Sequence, residues 1–175
     1  MFVVGIIPAR YKSTRFPGKP LAEISGKTMI QRVYEQAQKC SLLSKIIVAT
    51  DDKEIFEHVI TFGGEALMTK EIHTSGTERC NEVAKKKYPS ADIIINIQGD
   101  QPYIDPDQIS TLIKLFNNTE VSIGTLAKKI DAIEDMQNPN YVKVMFDTQN
   151  RAVNFCRKVK NTEEGKSYYK HIGIY

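Results

Sequence analysis

MFVVGIIPARYKSTRFPGKPL, residues 1–21, decides the fold. FVVGIIP at 2–8 is a short, nearly unbroken apolar run, the pattern of a strand buried on both faces. It leads straight into a loop that carries Arg10, Lys12, Arg15 and Lys19 and no acid. A buried strand followed by such a loop fits an open α/β sheet, where ligands bind beyond the carboxyl ends of the strands.

Outward from that stretch, three more blocks repeat the strand pattern: KIIVAT at 45–50, EALMT at 65–69 and DIIINIQ at 92–98. Helical spacing fills the gaps. Met29, Ile30, Val33, Tyr34 and Ala37 share one face over 27–40, and Ile55, Phe56, Val59 and Ile60 do so over 52–62, ahead of a Gly63-Gly64 stop. Cys80, Val83 and Ala84 mark a third helix over 77–87. Ile109, Leu112, Ile113 and Phe116 mark a fourth over 106–117, with Asp105 as cap and Pro106 at its first position. Strand–helix alternation implies crossover units, so the expected class is α/β: a Rossmann-like, mostly parallel sheet flanked by helices. After residue 120 the pattern changes to strands with few helices, at 121–130, 141–147 and 152–158, with DTQN at 147–150 as a hairpin turn. These mixed strands extend the sheet or form a flap. The segment 160–170 is polar and turn-rich and is expected to be a mobile loop.

The chain has 175 residues, enough for a single domain spanning 1–175. Its formal net charge is +3, and the basic loop alone carries +4, so the remainder sums to −1. Charge this local, with no basic face or aromatic platform, argues against nucleic-acid binding. The three cysteines, Cys40, Cys80 and Cys156, are widely spaced and odd in number, which points to reduced core thiols and a cytoplasmic location. No apolar run approaches a membrane span, and the start lacks the basic segment of a signal peptide.

The basic loop contains neither G-x-x-x-x-G-K-[ST] nor G-x-G-x-x-G. Its cations are side chains. Arginine forks suit phosphate oxygens and lysine adds a point charge, so an anionic ligand is expected; alone, the same loop reads as a solvated surface. Ser13, Thr14 and the N–H groups near Gly18 can add hydrogen bonds, and Pro17 and Pro20 stiffen the loop. In NIQGDQP at 96–102, Gly99 permits a tight turn and Asp100 stands as a Mg²⁺ ligand or as the carboxylate of an Asx-turn. In HTSGTER at 73–79, Ser75 or Thr77 caps the next helix. A glycine loop at that place lets a base or a phosphate come close, while Glu78 and Arg79 pair with each other or are solvated, and His73 alone reads as structural. Arg157 and His171 can meet an anionic second substrate, though each singly reads as a surface residue.

Taken in order, IIPARYKSTRFPGKPL, HTSGTER, NIQGDQP, NPNYVKVMFD and KHIGIY resemble the 3-deoxy-manno-octulosonate (Kdo) cytidylyltransferases, or CMP-Kdo synthetases, from Val3 to Tyr175. The resemblance implies the nucleotide-diphospho-sugar transferase type of fold. It also implies transfer of CMP from CTP to the anomeric hydroxyl of Kdo with release of pyrophosphate, for lipopolysaccharide synthesis in Gram-negative bacteria. It assigns Arg10, Arg15 and Lys19 to the triphosphate, with Ser13 beside them, and Asp100 to Mg²⁺. Ala9 and the loop Ser75, Gly76, Thr77 frame the cytosine, and Gln98, Arg157 and His171 face the sugar acid. A homodimer is implied as well. The alternatives are a cytidylyltransferase for another acidic sugar, such as sialic acid, or a CTP-binding domain without catalysis.

Two departures from the family pattern stand out. CRKVKN at 156–161 skips an Ile-Pro-aromatic segment and an arginine usual after the position of Arg157. Family members also continue past HIGIY, so the resemblance implies a chain incomplete at its C-terminus, the remainder holding a second metal-binding aspartate, more sugar contacts and much of the dimer interface. Gln101 stands where glutamate is common.

Overall fold

The computed structural model describes residues 1–12, 16–131, 133–159 and 167–175. The chain packs into two compact units: residues 1–124 with 174–175, and residues 125–173.

The first unit is built on four parallel strands, β1 (Val3–Ala9), β4 (Lys45–Thr50), β5 (Ala66–Met68) and β6 (Ile93–Asn96), in the order β5-β4-β1-β6. A two-strand ribbon, β2 (Glu23–Ile24) and β3 (Lys27–Thr28), lies outside the sheet and was not evident from the sequence. Its two residues per strand are too few for a period-2 pattern. The helices are α1 (Met29–Gln38), α2 (Lys53–Thr61), α3 (Gly76–Lys87) and α4 (Pro106–Leu115), each within a few residues of its expected bounds. Each starts where a side-chain oxygen accepts from a first-turn N–H: Thr28 from Gln31, Asp52 from Ile55, Ser75 from Glu78 and Asp105 from Asp107. Such caps are worth about 1 kcal/mol each and set where the helices begin.

Consecutive residues of β1, Ile6 and Ile7, are both fully buried, so both faces of the sheet are covered. On one face Cys80 and Val83 of α3 pack with Val4, Ile6, Ile47 and Ala49. Burial pushes the Cys80 thiol up to about 12, so it serves as a small core hydrophobe. Helices α1 and α4 pack on each other, with α1 against β1 and α4 against β6. Ile174 makes an antiparallel bridge to Ile97, and Asn96 and Tyr175 exchange backbone hydrogen bonds of 2.8 and 3.3 Å, lengthening the sheet past β6.

The second unit holds β7 (Leu126–Lys129), α5 (Ile133–Gln137), β8 (Lys143–Phe146), β9 (Ala152–Cys156) and β10 (Tyr169–Ile172), its strands antiparallel in the order β7-β10-β8-β9. The turn at DTQN joins β8 to β9 as expected: Asp147 N–H donates to Arg151 O at 2.9 Å and Asn150 takes φ 60°. These strands form a sheet of their own. The strand expected over 121–130 begins only at Leu126, because Gly124 and the residues before it belong to the first unit. Of the loop expected at 160–170, residues 160–166 lie outside the described residues, and Tyr169 and Lys170 are strand.

Candidate active site

The carboxyl ends of β1 and β6, together with the 73–79 segment, enclose a cleft of about 520 Å³ in the first unit. Of the site residues named from the sequence, Ala9, Arg10, Lys19, Ser75, Gly76, Gln98 and Asp100 line it. Ser13, Thr14 and Arg15 lie outside the described residues. Thr77 does not line the cleft; its hydroxyl accepts from Asn96 Nδ2 at 3.4 Å. Arg157 and His171 belong to the second unit.

Local rules position the basic loop. Arg10 is exposed at the end of β1. The Gly18 N–H donates to Tyr11 O at 3.0 Å and closes the loop on itself. Gly18 sits at φ 70°, a conformation that favours glycine, and opens a 3₁₀ turn over Lys19–Leu21 whose Pro20 is buried. That anchored turn presents Lys19, and its Nζ lies 2.7 Å from Asp100 Oδ2 across the cleft. Both side chains keep solvent access, so the pair contributes little to stability, about 0.2–1 kcal/mol, and is available to rearrange.

Asp100 is held in place by its neighbour. A Cβ on Gly99 would stand 2.9 Å from Pro8 O, so only glycine lets the end of β6 pass this close to β1. Before it, Gln98 Nε2 donates to the buried Asn96 Oδ1 at 3.1 Å, and Asn96 in turn reaches Thr77. This relay steadies Gln98. The sequence reading missed Asn96 because a polar residue inside DIIINIQ shows no spacing of its own.

The opposite wall is the start of α3. Ser75 and Glu78 form a capping box. Glu78 accepts from the backbone N–H of Thr74 at 2.8 Å and of Ser75 at 3.3 Å, and these bonds, with one from the Thr74 hydroxyl, hold its carboxyl below the usual range. Ser75 and Gly76 therefore bring the positive end of a twelve-residue helix to the cleft. Glu78 and Arg79 do not pair with each other: Glu78 is exposed, as one of the two alternatives had it, while Arg79 is neither paired with Glu78 nor solvated. Arg79 is 2% exposed; its Nη2 donates to Asp51 at 2.6 Å and its Nη1 bonds Thr69 and the Lys70 carbonyl, tying α3 to the ends of β4 and β5. The available signal was position: Arg79 lies four residues before Val83, on the buried face of α3.

His73 also lines the cleft, its Nε2 bonded to Glu82. Burial opposes the charge on Glu82, but hydrogen bonds from Lys86, His73 and the Lys70 N–H override it and hold the carboxyl near 2.

Among the described residues no cluster of three or more metal-binding side chains exists. Among the described residues that line the cleft, Asp100 is the one carboxylate, next to cations suited to phosphate. That donor set fits Mg²⁺ held largely by a nucleotide's own phosphate oxygens, since magnesium takes few protein carboxylates.

In the second unit, the His171 Nε2 and the Thr125 hydroxyl are 2.9 Å apart, and burial lowers the His171 pKa. Arg157 is exposed and its Nη1 donates to Pro139 O at 3.1 Å.

A parallel sheet with Arg10 and Lys19 across a cleft from a carboxylate at its carboxyl edge fits a nucleotidyltransferase, and the family model described as Cytidylyltransferase matches residues 4–175; the chain belongs to that family. A relative from Fusobacterium nucleatum, named 3-deoxy-manno-octulosonate cytidylyltransferase, is 49% identical over 179 residues, covering 100% of this chain and 72% of that protein. One of the same name from Parabacteroides distasonis is 46% identical over 188 residues, covering 100% of this chain and 74% of its own length. The solved structure of CMP:2-keto-3-deoxy-manno-octonic acid synthetase complexed with CTP superposes with a TM-score of 0.91 at 42% identity, over 99% of this chain and 73% of that one. Within its family, then, the chain belongs with the 3-deoxy-manno-octulosonate cytidylyltransferases.

Proposed function

We propose that this chain carries the CTP site and the chemistry of Kdo activation. The anomeric hydroxyl oxygen of Kdo attacks the α-phosphorus of CTP and loses its proton. The bond from that phosphorus to the bridging oxygen of the β-phosphate breaks, and pyrophosphate leaves. The observation that carries this reading is the Lys19–Asp100 pair spanning a cleft that also holds Arg10 and the start of α3.

Such a transfer needs positioning and charge stabilisation more than covalent help. Arg10 and Lys19 bind the triphosphate and offset the charge that builds on the departing pyrophosphate, a role Arg15 shares by family pattern. The N-terminus of α3 adds fixed positive potential, and Ala9, Ser75 and Gly76 border a place for a flat base, with Thr77 named beside them only by family pattern. Asp100 would hold Mg²⁺, which would supply neutralisation of phosphate charge and acidify the attacking hydroxyl. Binding of a triphosphate draws Lys19 from Asp100 onto phosphate oxygen and frees the carboxylate. Gln98 in the first unit, and Arg157 and His171 in the second, receive the sugar acid by family likeness. A homodimer is proposed on the same ground. Three free cysteines fit a cytoplasmic site of action for lipopolysaccharide synthesis. Among the described residues no helix is long and apolar enough to cross a membrane.

The test is pyrophosphate release from CTP and Mg²⁺ with Kdo and, separately, with sialic acid. Release with Kdo alone supports the reading. Release with sialic acid alone moves the chain to another sugar, and CTP binding without release in either assay makes it a non-catalytic nucleotide-binding domain.

A further inference from the structure

Lys143, the first residue of β8, is a buried cation that the proposed chemistry does not use. It is 1% exposed, one of the largest fully buried side chains in the chain. A buried lysine is ordinarily matched by a carboxylate. Lys143 is not: its Nζ donates to two backbone carbonyls, those of Asn138 at 2.5 Å and Arg157 at 2.9 Å. Burial lowers its pKa; Cys156 and Asp135 oppose that shift and the neighbouring Arg157 charge adds to it, so on balance keeping an ammonium here has a cost.

The two carbonyls show what that cost secures. Asn138 begins the N-P-N segment before β8, and Arg157 follows directly on β9, whose ladder ends at the pair Lys143–Cys156. The ammonium thus clamps the chain on either side of Arg157's exit from the sheet. Arg157 closes the same ring from its other end, its Nη1 donating to Pro139 O at 3.1 Å. Backbone and guanidinium of Arg157 are both fixed on one short turn, while the residue remains exposed. Beside it, Lys170 Nζ lies 3.5 Å from the Tyr141 ring centroid, and Lys128, Lys170 and Lys143 stand opposite one another across β7, β10 and β8. Like charges in cross-strand register repel. Among the described residues, no carboxylate pairs with Lys128, Lys143, Lys170 or Arg157. A local surplus of positive charge, offset near Lys143 by the Asp135 carboxylate, suits an acidic ligand.

We infer that Lys143 is a positioning residue for the acidic-sugar substrate: its buried ammonium pins the backbone of Arg157 so that the guanidinium is preset for the sugar carboxylate. The inference rests on the reading of Arg157 as a sugar contact. Lysine suits the task because one side chain supplies several charged N–H groups in different directions, whereas an apolar residue of equal length leaves two partly buried carbonyls without that donor.

The experiment compares Lys143→Met, Lys143→Gln, Arg157→Ala and the Lys143→Met/Arg157→Ala double variant by steady-state kinetics with Kdo and CTP varied in turn. Calorimetric CTP binding reports on the fold. Lys143→Met is expected to raise KM for Kdo about tenfold and leave KM for CTP within about twofold. Lys143→Gln is one atom shorter and uncharged but still offers two N–H groups; it keeps the carbonyls paired if the methionine variant fails to fold, and is expected to raise KM for Kdo about threefold. The double variant is expected to be no worse than Arg157→Ala. Loss of thermal stability with KM for Kdo unchanged in both single Lys143 variants, or additive effects in the double variant, would overturn the positioning role. An unchanged KM for Kdo in Arg157→Ala would instead overturn the assignment of Arg157 on which the inference stands.

Discussion

Replacing Arg79 with methionine tests how the cleft wall is held. The residue is 2% exposed, and its guanidinium joins Asp51, Thr69 and the Lys70 carbonyl. Methionine fills much of the volume, so the loss is electrostatic: the Asp51 carboxylate, about 19% exposed, loses its cation, and the Thr69 hydroxyl and Lys70 carbonyl lose a donor. Removing one partner of a buried pair costs about 3–5 kcal/mol, and the partial exposure of Asp51 puts the expectation near the lower end, about 3 kcal/mol. For a chain of this size that lowers Tm by about 6–12 °C. Arg79→Met/Asp51→Asn is expected to recover part of this, because the stranded charge is gone. Urea and thermal unfolding of the four proteins in the cycle measure it. A single-variant loss below about 1 kcal/mol, with no coupling between the two sites, would refute the reasoning and make Arg79 incidental to the fold.

Other outcomes follow from the same geometry. Glu82 is held near 2, below its ordinary 4.5, so its stabilising charge is fully present above pH 4.5 and is lost as pH falls from there toward 2. Unfolding titrations at pH 5 and pH 3 are expected to show wild type losing about 2 kcal/mol more than Glu82→Gln over that interval; parallel acid limbs would contradict it. Gly99→Ala places a methyl 2.9 Å from Pro8 O, and the shift it forces is expected to cost about 1–3 kcal/mol and to cut turnover by moving Asp100 off Lys19. Normal turnover in that variant would show that the close approach is not what sets the site. Asp100→Asn is expected to change stability by less than about 1 kcal/mol while abolishing Mg²⁺-dependent pyrophosphate release; an unaltered metal dependence would remove Asp100 from the metal's surroundings.

How far the sequence leads depends on the range of the interaction that decides each feature. The helices of the first unit were legible because apolar periodicity and caps such as Asp105-Pro106 are written within a few residues. The cleft was legible for a related reason: strand ends in an open parallel sheet gather on one edge, so residues 8–10 and 98–100 had to meet there. Arg79 was misjudged because its partners, Asp51 and Thr69, lie 28 and 10 residues away and only the assembled sheet brings them together. Strand β10 was missed because Tyr169–Ile172 is half polar and gains its place from ladders to β7 and β8, tens of residues distant. Lys143 likewise sits in a strand-like run, YVKVMFD, where alternation alone leaves its face undetermined.

Calorimetric titration of CTP, without Mg²⁺, into the wild-type and Lys19→Ala proteins reaches the central claim most directly. If the bend after β1 grips the triphosphate, losing one charge-assisted contact weakens binding about tenfold or more while the fold, measured in parallel, is kept. CTP bound by Lys19→Ala as tightly as by wild type would contradict the claim and move the nucleotide away from that bend.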